Sequence, residues 1–138
     1  MIVETIDFGG QKPNRKHYND AGADLYSMDT VIVYPGQTVG VRVGTGIKLP
    51  DGHVAMVFPR SGLSSKGIQC FTGVIDSGYN GEIKVFITNC SGNRYLISEG
   101  DRVAQIVVLN VVDCDYKTPD EMQELKKRGA NGFGSTGV

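Results

Sequence analysis

Apolar and polar positions alternate with a period of two along much of the chain. Val39, Val41 and Val43 alternate with Gly40 and Arg42. Val54, Met56 and Phe58 alternate with Ala55 and Val57, and Ile83, Val85 and Ile87 alternate with Lys84, Phe86 and Thr88. Such alternation predicts β-strands, because successive strand side chains point to opposite faces. Turn-forming clusters separate the runs: Pro35-Gly36, Pro50-Asp51-Gly52, Tyr79-Asn80-Gly81, Ser91-Gly92-Asn93 and Glu99-Gly100-Asp101. Short strands interrupted in this way point to an all-β antiparallel sandwich or barrel. The longest apolar stretch, Val103 to Val112, is rich in Val and Ile and is expected to be a strand buried on both faces.

Helical signals are sparse. Arg60 to Lys66 could form a short helical turn after a strand. Thr118-Pro119-Asp120-Glu121 fits a capping box with Pro at the first helical position, so residues 119–127 are either helical or an extended linker. From Arg128 onward the tail RGANGFGSTGV holds four glycines and one aromatic; it has no core of its own and is expected to be mobile. Residues 1–117 are thus expected to form one β domain, and 118–138 a linker and terminal arm.

Length and charge narrow the function. At 138 residues one domain is expected, too small to enclose a large active-site cavity by itself. The 14 basic and 15 acidic side chains leave a net charge of −1, without a run of five like charges, so binding to nucleic acid or a membrane has no electrostatic support. The beginning MIVETIDFGG has neither a basic nor an apolar signal-like segment, and a soluble cytoplasmic protein is expected. Cys70, Cys90 and Cys114 are widely spaced and read as reduced thiols, and His17 and His53 lie too far from any cysteine for a zinc motif. The 19 glycines follow no collagen-like period, so they are expected to serve turns and close backbone approaches.

Five clusters could carry chemistry. Gly132 to Gly137 matches GxGxxG, but the dinucleotide reading needs a following helix and only one residue follows here. Its backbone could instead close on an anion, with Arg128, Ser135 and Thr136 as donors and Phe133, beside Gly134, free to stack on a planar base. Pro59 to Gly67 offers Arg60, Ser61 and Gly62 where a strand meets a helical turn. In Gly73 to Gly81, Asp76 is either a turn-initiating residue or a carboxylate placed to deprotonate water, with Tyr79 beside it. Gln105, by parity on one face with Val103, Val107 and Leu109, either satisfies backbone groups or faces a ligand. Ala21 to Ser27 places Asp24 among small residues at a strand start.

Taken in order, these segments resemble the five motifs of the trimeric dUTPases: AGADLYS (21–27), PRSGLSSKG (59–67), GVIDSGYNG (73–81), GDRVAQI (100–106) and RGANGFGSTG (128–137). The resemblance implies a β jelly roll of the β-clip kind, assembled as a homotrimer with shared sites. One subunit would supply the first, second and fourth motifs, a neighbour the third, and the remaining subunit the arm. It implies hydrolysis of dUTP to dUMP and pyrophosphate by water attacking the α-phosphorus, which removes dUTP and supplies the precursor of dTMP. By the same resemblance Asp76 activates the water, and Gln105 contacts the α-phosphate and the water network. Asp24 holds a Mg²⁺ ion through water, while Arg60, Ser61 and Gly62 contact phosphates. Tyr79 would lie beneath the deoxyribose, and main-chain groups of a hairpin over Cys70, Gly73, Val74 and Ile75 would read uracil. Phe133 would stack on the base, while Arg128, Gly134, Ser135 and Thr136 close over the triphosphate. Many relatives carry Asn six residues before the catalytic Asp, where this sequence has Cys70.

Two other functions fit the same scaffold. The related dCTP deaminases need a Glu where this chain has Phe86, and a deaminase lacking that acid could not shuttle its protons. A nucleotide-dependent regulatory protein on this scaffold would need a partner-binding surface; no inserted segment supplies one, but an existing surface near the arm could serve.

Overall fold

The structure is a computed structural model and describes residues 1–130. Its strands are β1 (Glu4–Asp7), β2 (Ala23–Tyr26), β3 (Val31–Val33), β4 (Thr38–Arg42), β5 (Thr45–Lys48), β6 (His53–Phe58), β7 (Ile68–Cys70), β8 (Gly73–Ile75), β9 (Lys84–Asn89), β10 (Tyr95–Ile97) and β11 (Arg102–Asn110). Two helices, α1 (Ser61–Ser64) and α2 (Pro119–Ala130), complete the described elements. A four-stranded sheet in the order β2-β11-β6-β8 and a three-stranded sheet β4-β9-β7 are joined by the pairs β1-β5 and β10-β3. The described ladders are all antiparallel, and the architecture is the all-β jelly roll that the alternating pattern anticipates.

The core follows the alternation. Val41 on β4, Val85 and Ile87 on β9, and Val43 and Ile83 beside these strands are almost wholly buried. They pack with Leu25, Ala55, Val57, Ala104 and Ile106 from the four-stranded sheet. On β6 it is the smaller face, Ala55 and Val57, that enters the core. Val54, Met56 and Phe58 lie on the opposite face and stay half-exposed. That outer face is apolar across the sheet: Met56 pairs with Val107 on one side and with Val74 on the other, and Leu109 pairs with Val54. Leu109 and Val74 remain 45% and 64% exposed.

Strand β11 departs from the sequence expectation in two respects. Only its first half is buried; Leu109 and Asn110 are exposed, and Val111 and Val112 lie beyond its end. Its register against β2 also slips by one residue between Arg102 and Ala104. A bulge of this kind breaks parity. Val103 therefore joins Ala104 and Ile106 in the core, instead of sharing a face with Gln105.

The N-cap half of the capping box forms, while the Glu121 carboxylate meets the Thr118 hydroxyl in place of its backbone N–H. Thr118 Oγ1 accepts from the Glu121 backbone N–H at 3.3 Å and donates to its carboxylate at 3.1 Å. This makes the segment a helix and not an extended linker. The helix continues three residues past 127, so Arg128 to Ala130 belong to α2 and not to a mobile tail.

Candidate active site

Three strands and a short helix build one cleft, of about 260 Å³. Asp24 on β2 pairs with Gln105 on β11, and Gln105 pairs with Phe58 at the end of β6, so two polar side chains lie adjacent on the outer face. Past Phe58 the chain turns at Pro59 and Arg60 into α1, where the Arg60 carbonyl accepts from the Leu63 and Ser64 N–H groups at 3.1 Å each. This turn brings Arg60 and Ser61 to the same cleft, joined by Lys16, Gly22 and Arg102.

Charge in the cleft is tightly paired. Arg60 Nε lies 3.2 Å from Asp24 Oδ1, and Arg102 Nη1 3.8 Å from Oδ2. Arg60 Nη1 also donates to the Arg102 carbonyl at 3.3 Å. The Asp24 side chain, 18% exposed, is thus fixed between two guanidinium groups. Gln105 Nε2 donates to the Pro59 carbonyl at 2.9 Å, leaving its second N–H and its Oε1 available. Gln105 does both things considered for it: it satisfies a backbone carbonyl and lines the cleft.

Gly22 explains how the amide is aimed. A Cβ at residue 22 would fall on the Gln105 amide oxygen and stand 3.1 Å from its Cβ and Cδ. Only glycine leaves room for the amide there. The sequence pattern alone marks neither Gly22 nor Lys16 as functional and assigns Arg102 no role. The small-residue frame around Gly22 and the Arg three residues before Gln105 are the signals that could have flagged two of them.

The third motif lies elsewhere in the chain. Gly73, Val74 and Ile75 form β8 at the sheet edge, with Ile75 opposite Ala55. Ile75 is buried, so only its backbone could meet a ligand. Asp76 follows at once; its carbonyl accepts from the Tyr79 N–H at 3.0 Å, which opens a turn and leaves the exposed carboxylate free of that bond. It borders a different groove, of about 680 Å³, together with His53, Val112 and Tyr116. By register Asp76 sits across from position 54, and Gln105 across from Phe58. At strand spacings this puts them about 13 Å apart along the strands and about 10 Å across, roughly 16 Å in all. One water molecule cannot bridge that distance.

Tyr79 is held firmly. Its hydroxyl donates to the Glu82 carbonyl at 2.7 Å. Its ring lies so close to Gly81 that a Cβ there would be 2.7 Å from Tyr79 Cζ. Arg42 grips the Glu82 carboxylate at 2.7 and 3.3 Å. That hydrogen-bonded pair holds the Glu82 carboxyl below its ordinary value and raises Arg42.

The expected hairpin over residues 70–74 is not one. Cys70 ends β7 in the three-stranded sheet and Gly73 begins β8 in the four-stranded sheet, so Phe71 and Thr72 turn a corner between sheets. Cys70 is half-buried, and burial pushes its thiol up to about 11. Gly62 is exposed with open space above it. Arg128 lies in the last turn of α2 and borders neither groove. Phe133, Gly134, Ser135 and Thr136 lie outside the described residues.

Comparison with known proteins places the chain in one family. The dUTPase family model matches residues 10–137. The deoxyuridine 5'-triphosphate nucleotidohydrolase of Corynebacterium diphtheriae is 42% identical over 142 residues, covering 100% of this chain and 93% of its own. The dUTPase of Staphylococcus bacteriophage 80alpha, solved as a mutant with dUpNHpp, superposes with a TM-score of 0.80 at 28% identity over 99% of both chains. That of Staphylococcus aureus phage phi11, whose structure details coordination of a structural Mg(II) ion, superposes at 0.82 with 26% identity, over 89% of this chain and 99% of its own.

Proposed function

Because the chain belongs to the dUTPase family and so hydrolyses dUTP to dUMP and pyrophosphate, we propose that it does this at a site pooled between copies of itself. The separation of Asp76 from the Asp24–Gln105 cleft carries this reading. One copy offers phosphate-binding groups without a base, and a base without those groups. The apolar outer face of the four-stranded sheet, through Met56, Val74, Val107 and Leu109, supports a homotrimer in which a neighbour's Asp76 meets this cleft.

In the assembled site Asp76 takes a proton from a water molecule aimed by the free Oε1 of Gln105. The water oxygen bonds to the α-phosphorus as the bond to the bridging oxygen breaks, and pyrophosphate leaves with that oxygen and its electron pair. Arg60, Ser61 and Gly62 hold phosphate oxygens and align the triphosphate for in-line attack. Tyr79, fixed by the Glu82 carbonyl, forms the floor under the deoxyribose, and backbone at Cys70, Gly73, Val74 and Ile75 faces uracil. Arg128 and the terminal segment with Phe133, Gly134, Ser135 and Thr136 close over the nucleotide of another subunit, with residues 1–117 as the catalytic domain.

The donor set suits a hydrated Mg²⁺ and not a protein cage. No cluster of three His, Cys, Asp or Glu occurs among the described residues, and Asp24 is engaged by two arginines. Mg²⁺ keeps several waters and is commonly held by one or two carboxylates together with substrate phosphates, which Asp24 can provide through water. When bound, the ion neutralises charge on the triphosphate. A cytoplasmic location is supported by three free cysteines; no helix among the described residues is long and apolar enough to cross a membrane.

Complementation tests the pooled site. Asp76→Asn and Gln105→Ala should each nearly abolish pyrophosphate release from dUTP with Mg²⁺. After the two inactive proteins are unfolded and refolded together in equal amounts, about one quarter of the sites should carry both intact groups. Activity should return to about that fraction of the wild-type value; a mixture as inactive as its parts would refute the shared site.

A further inference from the structure

We propose that Lys16 is a determinant of triphosphate recognition, contacting the pyrophosphate portion of the substrate from the rim of the Asp24 cleft. This inference rests on the reading of the cleft given above.

Lys16 borders the cleft together with Asp24, Arg60 and Gln105. It makes no ion pair among the described residues, whereas both arginines of the cleft are engaged with Asp24. The uncommitted positive charge is therefore on Lys16.

The loop carrying it is built and not slack. Asn14 and Asp24 form a β-bridge, with Asn14 N–H donating to the Asp24 carbonyl at 3.2 Å and Asp24 N–H to the Asn14 carbonyl at 2.8 Å. Within the loop the His17 N–H donates to Asp20 Oδ2 at 2.8 Å, and the Asp20 N–H to the His17 carbonyl at 3.1 Å. Lys16 is held between these two closures.

Register then fixes which part of a substrate it would meet. Across the sheet the order is Asn14, Asp24, Gln105, Phe58. If Gln105 and Ser61 flank the α-phosphate, Asp24 stands one strand further out, and the loop after Asn14 further still. Lys16 is thus on the far side of Asp24 from the scissile phosphorus, where the leaving pyrophosphate lies. An ammonium group there distinguishes a triphosphate from a monophosphate by charge, and it opposes the build-up of negative charge as pyrophosphate departs.

The experiment uses the full-length protein with Mg²⁺ and compares wild type, Lys16→Gln and Lys16→Arg. Calorimetry measures binding of dUpNHpp, inorganic pyrophosphate and dUMP, and dUTP turnover is measured in parallel. Lys16→Gln should weaken dUpNHpp and pyrophosphate about fivefold to tenfold and leave dUMP unchanged. Lys16→Arg should restore most of the loss, and raised salt should narrow the gap. Equal weakening of dUMP, or no change for pyrophosphate, would overturn the role of Lys16. A wild-type protein that binds dUpNHpp without hydrolysing dUTP would instead overturn the reading of the site.

Discussion

Gly22→Ala offers a sharp test of how the cleft aims its amide. The φ angle of Gly22 lies outside the left-handed range, so alanine meets no backbone penalty and the effect is steric. The new methyl group would overlap the Gln105 amide, with 3.1 Å to Cβ and Cδ. Either the chain before β2 yields or the side chain does. The chain is pinned by the two Asn14–Asp24 hydrogen bonds and by pairing with β11, whereas the amide is held by the single bond to the Pro59 carbonyl. The amide should therefore swing. Loss of that bond costs about 1 kcal/mol, and overpacking brings the total to about 1–3 kcal/mol. Melting should fall by roughly 3–8 °C. A displacement of about 1 Å at a positioning group should lower kcat for dUTP by about a hundredfold. Melting curves and pyrophosphate release would be measured for Gly22→Ala, Gln105→Ala and the double variant. In the Gln105→Ala background the stability loss should shrink, because the overlapping group is gone. A wild-type kcat in Gly22→Ala, or an equal stability loss in both backgrounds, would refute the steric account.

Met56→Asp places a charge at the centre of the apolar outer face and should convert a particle of about three times 14.9 kDa into one of that mass in light scattering, with dUTP hydrolysis lost. Alkylation at pH 8 should label the exposed Cys90 and Cys114 well before Cys70, whose thiol at about 11 is ionised in only about one molecule in a thousand there; mass spectrometry follows the order. The Arg42–Glu82 pair should lend stability at neutral pH and lose it as the solution becomes acidic. The Glu82 carboxyl is held below its ordinary 4.5, so the contribution is present above that value and disappears once the folded-state carboxyl is protonated. Arg42→Ala should accordingly lower the melting temperature at pH 7, and by progressively less as the pH falls below 4.5.

Much of the architecture is legible in the period of two, because alternate residues of β4 and β9 are buried: Val41 on β4 and Val85, Ile87 and Asn89 on β9 face inward, while Gly40, Arg42, Lys84 and even Phe86 face outward. The same rule fails for β6, where both faces are apolar. Its larger residues point outward, and no local pattern tells that the outer face needs a partner. The capping box at Thr118 identifies the start of α2, but its end is hidden: Gly129 is a poor helix former, yet the helix passes through it. The corner at Phe71 and Thr72 depends on two sheets that are distant in sequence. Of the site, Asp24, Arg60, Ser61 and Gln105 are marked by polarity beside strands, and they do converge. Lys16 is one lysine among many until the Asn14–Asp24 bridge shows where its loop is fastened. That Asp76 stands apart follows only from the order of strands in the sheet.

The extra residue near Val103 acts as a phase shifter. Opposite the neighbours Tyr26 and Leu25 stand three residues, Arg102, Val103 and Ala104, where a straight ladder would have two. Without Val103 the ladder would run straight, and Ala104, Gln105 and Ile106 would keep Leu25, Asp24 and Ala23 opposite them. What such a deletion removes is a buried side chain and the local kink that a bulge gives a strand, so its damage is a hole in the interior ahead of the cleft and not a reversal of the sheet's faces.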